Sequence, residues 1–205
     1  MVKAVFDTAS VEPRRAYGLL ISLVVPRPIG WIGSIGASGV RNLAPYSFFN
    51  AFGPTFVGFS TIRPEGAMKD TLRNVLETGV FTVNIVTEET AAAMNLSSGP
   101  YPIEVDEFAV AGVTPRPGDV VPAPLVEEAK ANLECRLIHN LELGEGSMAS
   151  SLVIGEVLRI HVREDLLVDG RVDQGRLGAI GRMGGRSYAK TTDLFEMVRP
   201  QQDPA

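Results

Sequence analysis

The stretch FSTIRPEGAMKDT, Phe59 to Thr71, gathers hydroxyls at Ser60, Thr61 and Thr71 around the guanidinium of Arg63 and the ammonium of Lys69. Asp70 and Thr71 then open a run with helical spacing. Hydroxyls, two cations and a fresh helix N-terminus are the groups that bind a phosphate. Lys69 could instead be no more than a solvated helix end. Yet a cation at a helix N-terminus opposes the macrodipole, and the chain has only four lysines, so an anion held there would remove the conflict.

One strand upstream lies NLAPYSFFNAF, Asn42 to Phe52, which delivers Tyr46, Ser47, Phe48, Phe49 and Asn50 together. Flat aromatic surface beside hydrogen-bonding groups suits a planar heterocycle. Taken alone, strand aromatics are better read as core packing. Taken with the phosphate-type stretch, they describe a site for a phosphorylated aromatic cofactor.

Other chemistries find little support. His139 and His161 occupy strand-like segments without metal-ligand spacing and read as satisfied structural histidines. Neither a G-x-S-x-G elbow, a Walker motif nor a G-x-G-x-x-G fingerprint occurs. Glycines at 30, 33, 36 and 39 recur every third residue, which close strand packing explains. The single cysteine, Cys135, sits in an alternating stretch and reads as a half-buried filler. A net charge of −5 with pI near 5.1 and scattered basic residues argue against a nucleic-acid binder. The apolar runs are too short to cross a bilayer and the N-terminus lacks signal-peptide order, so the chain reads as cytoplasmic.

The elements that must position these residues are short and closely spaced. A chain of 205 residues can bury one core, and no polar linker divides it, which makes one domain the expectation. Ser10 caps an expected helix with Pro13 in its first turn that buries Ala16, Tyr17, Leu20 and Ile21. Strands follow over residues 29–35, 43–50 and 55–62, with a Gly- and Asn-containing hairpin turn over 36–42. A Pro-Gly turn at Pro64 to Gly66 leads to a helix over 70–78, capped by Asp70 and stopped by Gly79. Residues 80–86 read as a strand, 87–95 as an alanine-rich helix, and 101–124 as a Pro-rich connection too long for a tight turn. Two long strands over 126–143 and 151–162 flank a Gly-Ser loop, and Asp169-Gly170 marks a hairpin turn. Many strands, few helices and no βαβ alternation predict a mainly β fold, an antiparallel barrel with peripheral α-helices.

PRPIGWIGSIGASGVRNLAPYSFFNAF, KDTLRNVLETGVFTVNIV, MNLSSGPYPIEVDEF, LECRLIHNLELG, SLVIGEVLRIHV and RLGAIGRMGGRSYA occur in that order over nearly all of Pro26 to Pro200. Together they resemble the flavin reductase-like family of FMN-binding split barrels, flavoredoxins included. The resemblance implies a split antiparallel β-barrel, a homodimer, and FMN held noncovalently near the dimer interface and reduced by NADH or NADPH. It implies Trp31 at the ring, Tyr46, Ser47 and Asn50 around it, and backbone groups of Phe48 and Phe49 at its polar edge. Ser60, Arg63, Lys69, Asp70 and Thr71 match the phosphate and ribityl side. GGRSY matches the family's GGxxY, placing Tyr188 over the cofactor of its own or the partner chain. No side chain is required as nucleophile or acid, because the cofactor carries the chemistry.

Two functional classes stay open on this reading. One is an NAD(P)H-dependent flavin reductase that passes electrons to free flavin, oxygen or a partner oxygenase. The other is an FMN-binding electron carrier that oxidises NAD(P)H poorly. A bare barrel acting as an interaction domain ranks behind both, since fold alone does not settle function. The loop at 145–147 and the tail after Pro200 are where substrate preference would differ.

Overall fold

Chain order alone requires this sheet to curl. The computed structural model describes residues 1–63 and 67–200, so the Pro64 to Gly66 turn and the tail after Pro200 lie outside the described residues. Its elements are α1 (Pro13–Leu23), β1 (Gly30–Ile35), β2 (Arg41–Tyr46), β3 (Phe49–Ala51), β4 (Phe56–Ile62), α2 (Asp70–Thr78), β5 (Val80–Ile85), α3 (Ala91–Leu96) and α4 (Glu107–Ala111). After them come β6 (Pro115–Arg116), β7 (Leu125–Val126), β8 (Ala131–Leu143), β9 (Ser150–Val162), β10 (Leu167–Val168), β11 (Arg171–Val172), α5 (Gln174–Leu177), β12 (Ile180–Arg182) and β13 (Tyr188–Lys190). Seven strands form one sheet in the order β2-β1-β5-β8-β9-β4-β3, and every neighbouring pair is antiparallel. The two edge strands, β2 and β3, are joined only by Ser47 and Phe48. Laid flat, seven strands would hold their edges about 29 Å apart, whereas that connection spans at most about 11 Å. The sheet therefore rolls into an antiparallel half-barrel, with a seam between its first and last strands. A hydrogen bond from Ser60 N–H to the Phe48 carbonyl, 2.8 Å, ties the seam to β4.

The pleat sorts side chains into two cores. On β1, Ile32 faces the barrel interior with Phe59, Phe81, Val83, Cys135 and Val153. Its neighbour Trp31 faces the opposite way, into a second cluster with Leu43, Met94 and Phe108 beneath α3 and α4. That inversion is the period of two in an extended chain. Gly33 lets the chain pass close by, since a Cβ there would lie 2.3 Å from the Pro124 carbonyl oxygen. Close packing thus accounts for this glycine, as the sequence suggested.

Several elements differ from the sequence reading. The expected strand over 43–50 is two strands, because the chain leaves β1 at Tyr46 and takes β4 as its partner from Phe49. Helix α1 is capped by Glu12, whose carboxylate accepts from the Arg14 and Arg15 amides, and none of its residues is buried. The helix expected over 87–95 starts at Ala91, because Thr87 and Thr90 first close a turn through the Thr90 hydroxyl. Helix α2 has the expected bounds and stops at Gly79 with φ 72°, but its N-cap is Lys69 and not Asp70. The Pro-rich connection over 101–124 contains α4 and β6, which pairs with β7 just beyond its end. Cys135 is fully buried rather than half-buried, and burial pushes its thiol pKa up. The Asp169-Gly170 turn is present, with both φ angles positive at 50° and 73°.

Candidate functional site

The seam positions the candidate residues. At the end of β2, a cleft of about 380 Å³ is lined by Tyr46, Lys69, Asp70 and Thr71, with Ser97, Ser98, Tyr101 and Glu107 opposite. Beyond the bend, a second cleft of about 330 Å³ is lined by Ser47, Phe48, Phe49, Asn50 and Ser60 beside Arg27. A third, of about 250 Å³, is lined by Ser47, Met94, Asn95, Arg182 and Tyr188. It shares Pro45 and Ser98 with the first cleft and Ser47 with the second, so the three make one run along the seam.

A buried polar network floors the first cleft. Asn42 Oδ1 accepts from Thr71 Oγ1 at 2.6 Å and from Ser34 Oγ at 3.2 Å, while its Nδ2 donates to Glu107 Oε1 at 2.9 Å. Leu43 N–H donates to the other Glu107 oxygen at 3.2 Å. Burial pushes Glu107 above the usual carboxylate range. The N–H groups of Glu107 and Leu43 and the Asn42 amide oppose that rise, and the nearby Asp70 charge adds to it. Tyr46 is raised to about 12, chiefly by burial and against its contacts with the Thr71 and Thr61 hydroxyls, so it stays a neutral phenol. Helix α2 points its N-terminus at this cleft with Lys69 as a cap that makes no side-chain hydrogen bond. Its first-turn N–H groups are therefore not satisfied by that cap, the arrangement that favours an anion.

At the bend, the half-buried Ser47 and Phe48 amides make no hydrogen bond among the described residues, because the chain is changing sheet partners there. Two amide donors beside aromatic surface can meet the polar edge of a ring. The arrangement as a whole offers an anion at one end and a hydrogen-bonding planar group at the other.

Comparison with known proteins assigns this arrangement to a family. A family model described as a flavin reductase like domain matches residues 22–176. The chain belongs to the flavin reductase-like family. A crystal structure of nitrilotriacetate monooxygenase component B from Bacillus cereus superposes with a TM-score of 0.93 at 36% identity, covering 96% of this chain and 100% of that one. The Pseudomonas fluorescens 2-nitrobenzoate 2-nitroreductase gives 0.87 at 29% identity over 98% and 99%. An uncharacterized protein of Deinococcus radiodurans is 40% identical over 95% of this chain and 88% of its own length.

Within this flavin reductase-like chain, the run of clefts gathers Tyr46, Ser47, Phe48, Phe49, Asn50, Ser60, Lys69, Asp70, Thr71 and Tyr188. Two anticipated residues are placed elsewhere. Trp31 has no exposed surface and donates its indole N–H to Ser97 Oγ at 2.8 Å, so it lines none of the three clefts. Arg63 is ion-paired with Glu142 of β8, which draws its guanidinium toward the β8–β9 hairpin. The Thr71 hydroxyl spends its proton on Asn42, which leaves it an acceptor toward the cleft.

Sequence reasoning missed Arg27, Glu107 and Arg182. Arg27 stands between two prolines, Pro26 and Pro28, and a cation pinned in an extended run was a usable signal. Glu107 carried none, because the groups that bury it, Asn42 and Leu43, come from β2, far away in the chain. The histidines divide: His161 contacts buried Glu134 at 2.7 Å, whereas His139 is exposed and not a satisfied core residue. Asp119, Glu134 and His161 lie close enough to resemble a metal cluster. Glu134, however, already accepts from the amides of Asp119, Val120 and Val121, so the group reads as a clamp on that loop.

Among the described residues, no helix is long and apolar enough to cross a membrane.

Proposed function

We propose that this protein is an FMN-dependent oxidoreductase of the flavin reductase type, taking hydride from NADH or NADPH. The observation that carries the reading is the continuous run of clefts, with Lys69 and the N-terminus of α2 at one end and the free Ser47 and Phe48 amides at the other. Lys69 and the first-turn amides of α2 would hold the phosphate. Ser47, Phe48, Phe49 and Asn50 would hold the ring. Bound FMN would supply the hydride-accepting chemistry. The chain's own part is to orient the ring along the seam, keep water from the Phe48 and Phe49 face, and present amide donors where negative charge gathers.

Electrons would leave to free flavin, oxygen or a partner. Likeness to a component of a monooxygenase favours a separate oxygenase as recipient. The reading also makes the chain a homodimer, supported by uncovered apolar residues at Leu20 and Leu23 of α1 and at Leu158 and Ile160 of β9.

The test has two stages. FMN quenching titrations should give tight binding that Lys69→Ala weakens by about 10- to 100-fold, the value of a charged hydrogen bond to phosphate, with riboflavin affinity nearly unchanged. Anaerobic stopped-flow mixing of the loaded protein with NADH or NADPH should then bleach the flavin. An unchanged FMN affinity in Lys69→Ala would remove the phosphate assignment, and tight FMN that neither nicotinamide bleaches would make the protein an electron carrier.

A further inference from the structure

The second cleft borders a charge that the fold does not neutralise. Arg27 is 6% exposed and forms no ion pair among the described residues. Its guanidinium donates to the carbonyls of Ile21 at 2.5 Å, Val24 at 2.8 Å and Met183 at 3.1 Å. Its Nε reaches only Ser47 Oγ, at 3.5 Å, and its carbon lies 5.9 Å from the Phe48 ring centroid. The carbonyls come from the C-terminal end of α1 and from the turn after β12, so they hold the group rigidly. They offset its charge only with partial charges. A buried cation without a carboxylate is expensive, and an anion brought beside it would offset that cost.

Hydride addition brings two electrons and one proton to a flavin ring. The ring therefore ends one negative charge richer than it began unless a second proton follows. We propose that Arg27 is a positioning and charge-compensating residue for the reduced ring, so that the cleft of Ser47 and Phe48 binds flavin more tightly after two-electron reduction than before. The inference rests on the proposed ring position. It adds that Arg27 selects the redox state held and not merely the cofactor. At the separations found across one cleft, a partly buried charge is worth more than a tenfold preference.

The test compares Arg27→Gln, which keeps donors and loses the charge, with Arg27→Lys, which keeps the charge and loses the planar fork. Affinity for oxidised FMN is read by fluorescence quenching, and the midpoint potential of bound FMN by dye-equilibrated reduction. The two together give the ratio of reduced to oxidised affinity. Arg27→Gln should lower that ratio at least tenfold, and Arg27→Lys should lower it less than threefold. A merely structural clamp would weaken both redox states equally in both variants, and an unchanged ratio in Arg27→Gln would overturn the proposal. If Arg27→Gln does not fold, proton uptake by the parent decides. At mildly acidic pH, where free reduced FMN takes up close to two protons, the bound ring should take up one, and two would overturn the proposal. A parent that binds no FMN would instead sink the proposed function, which the first titration reports separately.

Discussion

Glu134 and Glu107 are both buried carboxylates, 0% and 5% exposed, yet their acidities move in opposite directions. Burial pushes each upward. At Glu134 it is outweighed by His161 and by the amides of Val120, Val121 and Asp119, and the pKa falls to about 2. At Glu107 the amides and Asn42 are too few to outweigh it, Asp70 adds repulsion, and the pKa is raised. The difference lies in how far the chain completes the hydrogen-bond shell around each charge. Glu134, fitted with four partners and lining none of the three clefts, fastens the loop at 119–121 to β8. Glu107, left short of donors, lines the cleft beside Lys69. A satisfied buried charge is scaffolding, and an under-satisfied one sits where a ligand meets the protein.

The largest effect that would break this contrast belongs to the satisfied carboxylate. Glu134→Gln turns an acceptor for clustered amides into a group that also presents donors to them. It should destabilise the fold by about 3 kcal/mol, measured by urea unfolding, and leave FMN affinity unchanged. The parent's own pH dependence has the matching sign. A carboxyl with depressed native pKa contributes stability that is full above its unfolded value and lost as pH falls toward about 2. A variant as stable as the parent would show that the shell around Glu134 does little.

Trp31 gives the next effect and tests the boundary between core and cleft. Trp31→Phe keeps an aromatic in the cluster with Met94 and Phe108 but removes the donor to Ser97. A loss of about 1 kcal/mol with unaltered FMN affinity fits a core residue. A tenfold fall in FMN affinity would return Trp31 to the ring site.

What the sequence made legible follows the range of the forces involved. The span of helix α2 was readable, though not its cap, because Leu72, Val75 and Gly79 are local signals. The strands over 29–35 and 80–86 were readable as strands, the second from its β-branched and aromatic content, and the turn at Asp169 from its Asp-Gly pair. The break at Ser47 was not, because it arises from a change of partner between β1 and β4 that nothing within Asn42 to Phe52 encodes. Helix α1 shows the same limit, since its apolar face signalled burial that this chain alone does not provide. At the candidate site, Lys69 and the aromatics were singled out through residue type, and they line the clefts along the seam. Glu107 and the Arg63–Glu142 pair depend on contacts between distant segments and left no local trace.

The smallest effect sharpens the comparison from the other side. Charged Glu107 and Asp70 border the cleft assigned to phosphate, so they repel the anion that Lys69 attracts. Glu107→Gln removes one of those charges and should tighten FMN binding by about threefold at neutral pH, a modest gain because the cleft is open to screening solvent. The gain should shrink as pH falls, since native Glu107 takes up its own proton before an ordinary carboxylate would. Stability carries the same signature. With the native pKa above the unfolded one, the native state binds the proton more tightly, and stability declines as pH rises through the interval between them. Glu107→Gln should lack that decline. Its absolute melting temperature is a poor guide, because the new amide faces the Leu43 N–H with a donor of its own. The slope of melting temperature against pH isolates the charge. Parallel slopes for parent and variant would mean that Glu107 titrates alike in the folded and unfolded chain; a parent whose stability instead rises with pH relative to the variant would mean that Glu107 is satisfied as Glu134 is, and the distinction between scaffold and cleft charges would then rest on position alone.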